Sequence, residues 1–182
     1  MTVEEIFKEL SAHMIKGVMI HTQLKDYYDF LNLHGYKRCH EYHGRLEMKN
    51  LNRLHKYYIN HYNKLIPEMP IENPAVIPND WYAHTRQDVD VNTKRNAVKN
   101  ATEMWVKWET DTKDLFQRMY QELMTLGEVA TANKMACYVC DVDRELKWAT
   151  RKHLELKTAD YNIDFIMGEQ DRLHDWYKAK MA

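Results

Sequence analysis

The chain is poor in the residues that interrupt helices. Five glycines are scattered through 182 residues, and all four prolines lie between positions 67 and 78. Gly and Pro are the strongest punctuators of regular structure, so long helices are left to occupy most of the rest. Cysteine is scarce too: Cys39, Cys137 and Cys140 make an odd count that does not suit a disulfide framework. Cys137 and Cys140 have a C-x-x-C spacing, but no second such pair and no adjoining Gly or Pro turn accompanies them, so neither a zinc site nor a redox motif is assigned. An excess of one charge is missing as well. Lys and Arg number 26 against 27 for Asp and Glu, which removes the basic surplus that phosphate binding needs and makes nucleic acid an unexpected partner. No uncharged stretch of roughly 18 residues exists to span a bilayer. The opening MTVEEIFKEL has neither the basic start nor the apolar run of a secretory signal, so the expected location is cytoplasmic.

What remains is rich in apolar and charged residues, 45% and 29% of the chain, a composition too apolar for disorder and sized for one domain, 1–182. Ile6, Leu10, Met14, Leu24, Tyr28 and Leu31 recur at the three-to-four spacing of one helix face, which predicts a helix over about 3–33 ending near His34 and Gly35. Leu51, Leu54, Tyr58 and Leu65 predict a second over about 38–65, stopped by Pro67. The periodicity then fails over 67–92, where every proline falls. A third helix over about 93–126 carries Val98, Ala101, Trp105, Trp108, Leu115, Met119 and Leu123, with Gly127 as its cap. A fourth, from Ala132 through Leu146 and Leu156 to Ile166, is expected over about 129–167, and Gly168 separates it from a short tail helix over 169–180.

Connection lengths set the topology. Short turns force antiparallel neighbours, whereas a connection of roughly 26 residues reaches about 85 Å when extended, far beyond a helix of about 45 Å, and can run back along the bundle. The expected fold is therefore all-α: a four-helix bundle with one long crossover between helices 2 and 3, the ferritin-like arrangement, plus a short C-terminal helix.

Ten histidines are many for this length, and three of them crowd the first turn with two glutamates: His34, His40, His43, Glu41 and Glu47. His43 and Glu47 are four apart, so an imidazole and a carboxylate share one helix face. That face continues into Leu51, Leu54 and Tyr58, so both should point inward, where a carboxylate needs a partner. His34 extends the stripe of the first helix and is expected to fold back towards them, giving a His34, His43, Glu47 cluster. His13, His21 and His153 also fall near apolar stripes and are read as core histidines held by a neighbouring carbonyl or carboxylate. The tryptophans and tyrosines follow core spacing more than that of a stacking platform. The acidic runs at 109–114 and 141–145 are read as solvated faces.

The stretch LHGYKRCHEYHGRLEMKN, with a His closing the first helix and a second His followed four positions later by an acid, resembles the ferritin-like superfamily, closest to its miniferritin (DNA-protection-during-starvation) branch. The resemblance implies iron as the bound metal, His34, His43 and Glu47 among its ligands, ferroxidase-like oxidation or storage in oxidative-stress protection, and a homo-oligomer of at least two chains. No basic tail is present, so DNA protection does not carry over. No Glu-x-x-His pair lies on the four helices, and no acid stands near Tyr58 or Tyr62 where a second acidic pair would fall. Those two facts favour the alternative: a metal-free helical-bundle protein-interaction module, of the kind a mobile element could encode, with a protein partner.

Overall fold

Thr2 begins the first helix by a reciprocal pair of bonds, its hydroxyl accepting from the Glu5 N–H at 3.2 Å while its own N–H donates to the Glu5 carboxylate at 2.7 Å. The computed structural model describes residues 1–66, 68, 69 and 74–181. Within them the chain forms five α-helices: α1 (Val3–Phe30), α2 (His34–Tyr62), α3 (Val91–Thr125), α4 (Val129–Thr158) and α5 (Ile163–Met181). Two short 3-10 turns, Asn79–Ala83 and Arg86–Asp88, lie in the connection before α3. No strand occurs among the described residues.

Left-handed residues make the turns. Asn32 (φ 57°) reverses the chain between α1 and α2, Asn63 (φ 52°) closes α2, and Gly127 (φ 77°) joins α3 to α4. Asp160 and Tyr161 (φ 49° and 51°) separate α4 from α5, and Arg95 of α3 donates to both of their carbonyls at 2.7 and 3.0 Å. Helix ends therefore differ from the expected ones at three places; at one of them Asn63 stops α2 at Tyr62, so Leu65, expected on its apolar face, lies outside it and is 85% exposed. The first turn is only Leu31–Leu33, so His34 and Gly35 open α2 instead of closing α1. Ile163 and Ile166 start α5 instead of ending α4, and Gly168 lies inside α5. Gly35 serves a different purpose from a turn: a Cβ there would stand 1.9 Å from the Gln170 carbonyl oxygen, so its absence lets α5 pack against the start of α2.

α1 pairs with α2, α3 with α4, α1 meets α3, and α5 lies along α2. The expected crossover begins at Pro67, which with 70–73 lies outside the described residues. From Pro74 the connection is held against α1: the Gln23 side chain donates to the Pro74 carbonyl at 2.7 Å and accepts from the Val76 N–H at 3.1 Å. Trp81 then packs edge-on against Tyr27 and Phe30. The connection thus travels to the end of α1 from which α3 departs, a path the length arithmetic allows.

The core is divided in two. One apolar lobe gathers Ile6, Phe7, Leu10 and Met14 with Leu54, Tyr58, Phe116, Met119 and Met135. The other gathers Leu24, Tyr28, Tyr36, Val98, Trp105, Ala149, Leu156 and Ile166 at the opposite end. Between them α1 to α4 contribute a layer of buried polar side chains.

Candidate metal centre

Each helix supplies the layer through its own periodicity. α1 presents Gly17 and His21, four residues apart, and α2 presents His40, His43 and Glu47 at intervals of three and four. α3 contributes Glu109 and α4 contributes Glu145. His21, His40 and Glu109 are at most 1% exposed, and His43 and Glu47 are also buried. Glu145 keeps 19% of its side chain exposed and is the layer's link to solvent.

Contacts run across the helices. His21 Nδ1 and His40 Nδ1 share a hydrogen bond at 3.0 Å, and His21 Nε2 stands 3.9 Å from Glu109 Oε1. The Trp105 indole N–H donates to the same Glu109 oxygen at 2.9 Å. His43 Nδ1 faces Glu145 Oε2 at 3.5 Å, short of hydrogen-bond geometry, and both ring nitrogens of His43 lack a hydrogen-bond partner, as does His21 Nε2. Gly17 makes room for the layer: a Cβ at this position would come within 2.8 Å of the Trp108 ring and 3.2 Å of the Glu47 carboxyl.

The electrostatics follow from burial without a cation. No Lys or Arg forms an ion pair with Glu47, Glu109 or Glu145 among the described residues. Burial, reinforced by the nearby Glu145, pushes the Glu47 carboxyl up to about 8. Burial and repulsion from Glu145 and Glu47 raise Glu109 well above the usual carboxylate range. Burial and the adjacent imidazoles hold His21 and His40 far below the usual histidine value. Glu47 and Glu109 therefore tend to retain their protons, and His21 and His40 tend to stay neutral.

The three residues expected to form a site are not together in the single chain. His43 and Glu47 lie in the layer, one turn apart. His34 is 62% exposed and faces Asp29 at 3.5 Å. It stands nine residues from His43 on the same helix, about 13 Å along the axis. The three-residue turn is the cause, since it makes His34 the first residue of α2 and not the last inward residue of α1. His13 and His153 are accounted for by neighbours: His13 Nε2 bonds the Thr112 hydroxyl at 2.8 Å and stacks on Trp108, and His153 Nδ1 lies 3.3 Å from the Tyr161 hydroxyl.

Glu109 and Glu145, read from their charged surroundings as solvated, belong to the layer instead. A signal for Glu109 was present: it follows Trp105 by four residues and precedes Thr112 by three, on the stripe that α3 buries.

In kind, the donors suit a first-row divalent metal, which favours mixed imidazole and carboxylate ligands. In position they do not form a cage: no group of three or more His, Cys, Asp or Glu converges to hold an ion among the described residues. No helix among those residues is long and apolar enough to cross a membrane.

No protein-family model matches the sequence, and no curated protein matches it. Solved structures do match. An open-pore ferritin from the archaeon Archaeoglobus fulgidus superposes with a TM-score of 0.77 at 15% identity, over 94% of each chain. An engineered closed form of the same ferritin gives 0.77 at 14% identity over 96% of each. A PmFTN variant soaked in iron gives 0.71 at 9% identity, covering 92% of this chain and 95% of that one. At these identities the likeness speaks for architecture alone, and the architecture of this chain is the ferritin-like one: a four-helix bundle with a long crossover and a shorter fifth helix.

Proposed function

We propose that the protein is a ferritin-like metal-binding bundle that takes up ferrous iron in the polar layer and stores or oxidises it, as a homo-oligomer of at least two chains in the cytoplasm. The observation that carries this reading is the layer itself: three carboxyls and three imidazoles from four helices, all buried but the half-buried Glu145, with no ammonium or guanidinium paired to the acids among the described residues. Burying such a set is costly, and a divalent cation is the ligand that offsets the cost. His43 and Glu47 are the proposed ligands from α2, with Glu109, Glu145 and His21 as the donors nearest to them; His34 is left to the surface. The closer kinship with miniferritins rests on His34, His43 and Glu47, and the separation of His34 leaves two of those three in place.

Bound iron would supply one-electron chemistry towards oxygen or peroxide. The chain's part is to surrender the protons held by Glu47 and Glu109, to turn His21 away from its bond to His40, and to keep bulk water out with Trp105 and Trp108. Support also comes from the company the fold keeps, since the solved structures it matches include ferritins and a protein soaked in iron.

The test is elemental analysis of the purified protein before and after anaerobic iron addition, with mass by light scattering. Near-stoichiometric iron in a defined oligomer, with protons released on loading at neutral pH, is the expected result. No uptake and no proton release would refute it. The competing reading, a metal-free interaction bundle with a protein partner, is favoured by the absence of three converging ligands among the described residues, and that same negative result would select it.

A further inference from the structure

On the solvent side of the polar layer, bordered by His43 and Glu145, a pocket of about 360 Å³ opens between α2, α4 and α5. Its wall is aromatic. Trp148 and Trp176 stack at 5.0 Å between ring centroids, and Tyr42 meets Trp176 edge-on at 5.1 Å; all three are half-buried and line the pocket. Its inner side is polar and unsatisfied. His43, 4% exposed, has no hydrogen-bond partner at either nitrogen, and Asn50 Oδ1, also in the lining, has none. Orphaned buried acceptors are uncommon in folded proteins and call for an explanation.

Beside it lies a second hollow of about 390 Å³, which shares Arg53 with the first and adds Lys56, His61 and Lys134. No acid lines this second hollow, and neither Arg53, Lys56 nor Lys134 forms an ion pair among the described residues. In the first pocket Arg144 is neutralised by Asp141, and Glu145 faces His43. The combined surface is therefore an aromatic recess with one unpartnered acceptor, Asn50 Oδ1, inside it, followed one to two helical turns along α2 by a cationic recess. From Asn50 to Lys56 the helix advances about 9 Å, comparable to the reach from a base edge to a phosphate.

We propose that this face binds a free mononucleotide. The base lies against Trp176 and Tyr42, an exocyclic amine donates to Asn50 Oδ1, and the phosphate sits among Arg53, Lys56 and Lys134. Stacking on aromatic side chains tolerates any base, and cationic side chains recognise the phosphate. None of the residues named for base or phosphate contact is a proposed metal ligand, although the pocket borders His43 and Glu145 of the polar layer.

The experiment is calorimetric titration of the full chain, in chelator, with adenosine 5′-monophosphate, adenosine and inorganic phosphate. The monophosphate should bind more tightly than either fragment. Trp176→Ala should weaken it about fivefold or more. The double variant Lys56→Glu with Lys134→Glu, neither of which lines the aromatic recess, should weaken it about tenfold or more while leaving adenosine unchanged. No binding of the monophosphate at millimolar concentration overturns the proposal, as does equal affinity for monophosphate and adenosine in both proteins. A single-stranded oligonucleotide that binds where the monophosphate does not would also overturn it, by replacing the free nucleotide with a polymer.

Discussion

Replacing Glu47 by Gln removes one ionisable proton from the polar layer and leaves the side chain's size nearly unchanged. The folded chain holds that proton up to about pH 8, against an ordinary value of 4.5. The unfolded chain has already released it across this interval, so the unfolded state binds fewer protons and stability falls as pH rises. The contribution is fully present below about 4.5 and is lost on passing through about 8. Each pH unit is worth about 1.4 kcal/mol, and the whole interval nearly 5 kcal/mol as an upper bound. His21 and His40 act in the opposite direction, because their low values in the fold make stability rise with pH until about 6.5, where unfolded histidines have lost their protons. The window from about pH 6.5 to 8 therefore isolates the carboxyls. Across it Glu47 should cost about 2 kcal/mol, which at a typical urea dependence is a fall of about 1 M in the unfolding midpoint. The measurement is urea unfolding of both proteins in chelator at several pH values through that window. The Gln variant should show a shallower decline, not a flat one, because Glu109 also sits high and loses only the share of its shift that Glu47 causes. Parallel declines in the two proteins would refute the assignment of a buried, proton-holding Glu47.

Other expectations follow from single contacts. Gly17→Ala pushes a methyl group against the Trp108 ring and the Glu47 carboxyl, and should cost about 1–3 kcal/mol in chemical denaturation; an unchanged midpoint would mean the layer has slack. Glu169, 1% exposed, holds Lys152 and Arg172 where α5 joins the bundle, so Glu169→Gln should cost about 3 kcal/mol and lower the thermal midpoint by several degrees; no shift would show that α5 docks without it. His34→Ala should leave iron uptake as it is while His43→Ala reduces it, measured by elemental analysis, and equal losses would restore His34 to the site.

The architecture was legible because it depends on few signals. Prolines confined to 67–78 and sustained three-to-four periodicity were enough to place the helix pairs and the crossover. Turn positions were less so, since glycine is only one way to supply a left-handed residue. Asn32, Asn63, Asp160 and Tyr161 supply it here, while Gly35 and Gly168 lie within helices. That difference moved His34 from the end of one helix to the start of the next and out of the cluster. The rest of the site was half-visible. His43 and Glu47 follow from spacing against an apolar stripe, but Glu109 and Glu145 sit in charged runs whose composition says solvent. Only the phase of each residue relative to Trp105 and Ala149 could separate the inward acids from the outward ones, and Glu145 faces His43 of the neighbouring helix.

Two greasy lobes separated by a polar belt also act as an index for assembly. Helices with uniformly apolar faces can slide by a turn at little cost, since one leucine replaces another. Here a slip of about 5.4 Å along any of the first three helices would drive His21, Glu47 or Glu109 among Leu, Phe and Met side chains, leaving a glutamate or imidazole stranded in hydrocarbon. The belt thus fixes how far each rod is inserted relative to the others, so the side chains proposed above as iron ligands also tell the bundle when its helices are level.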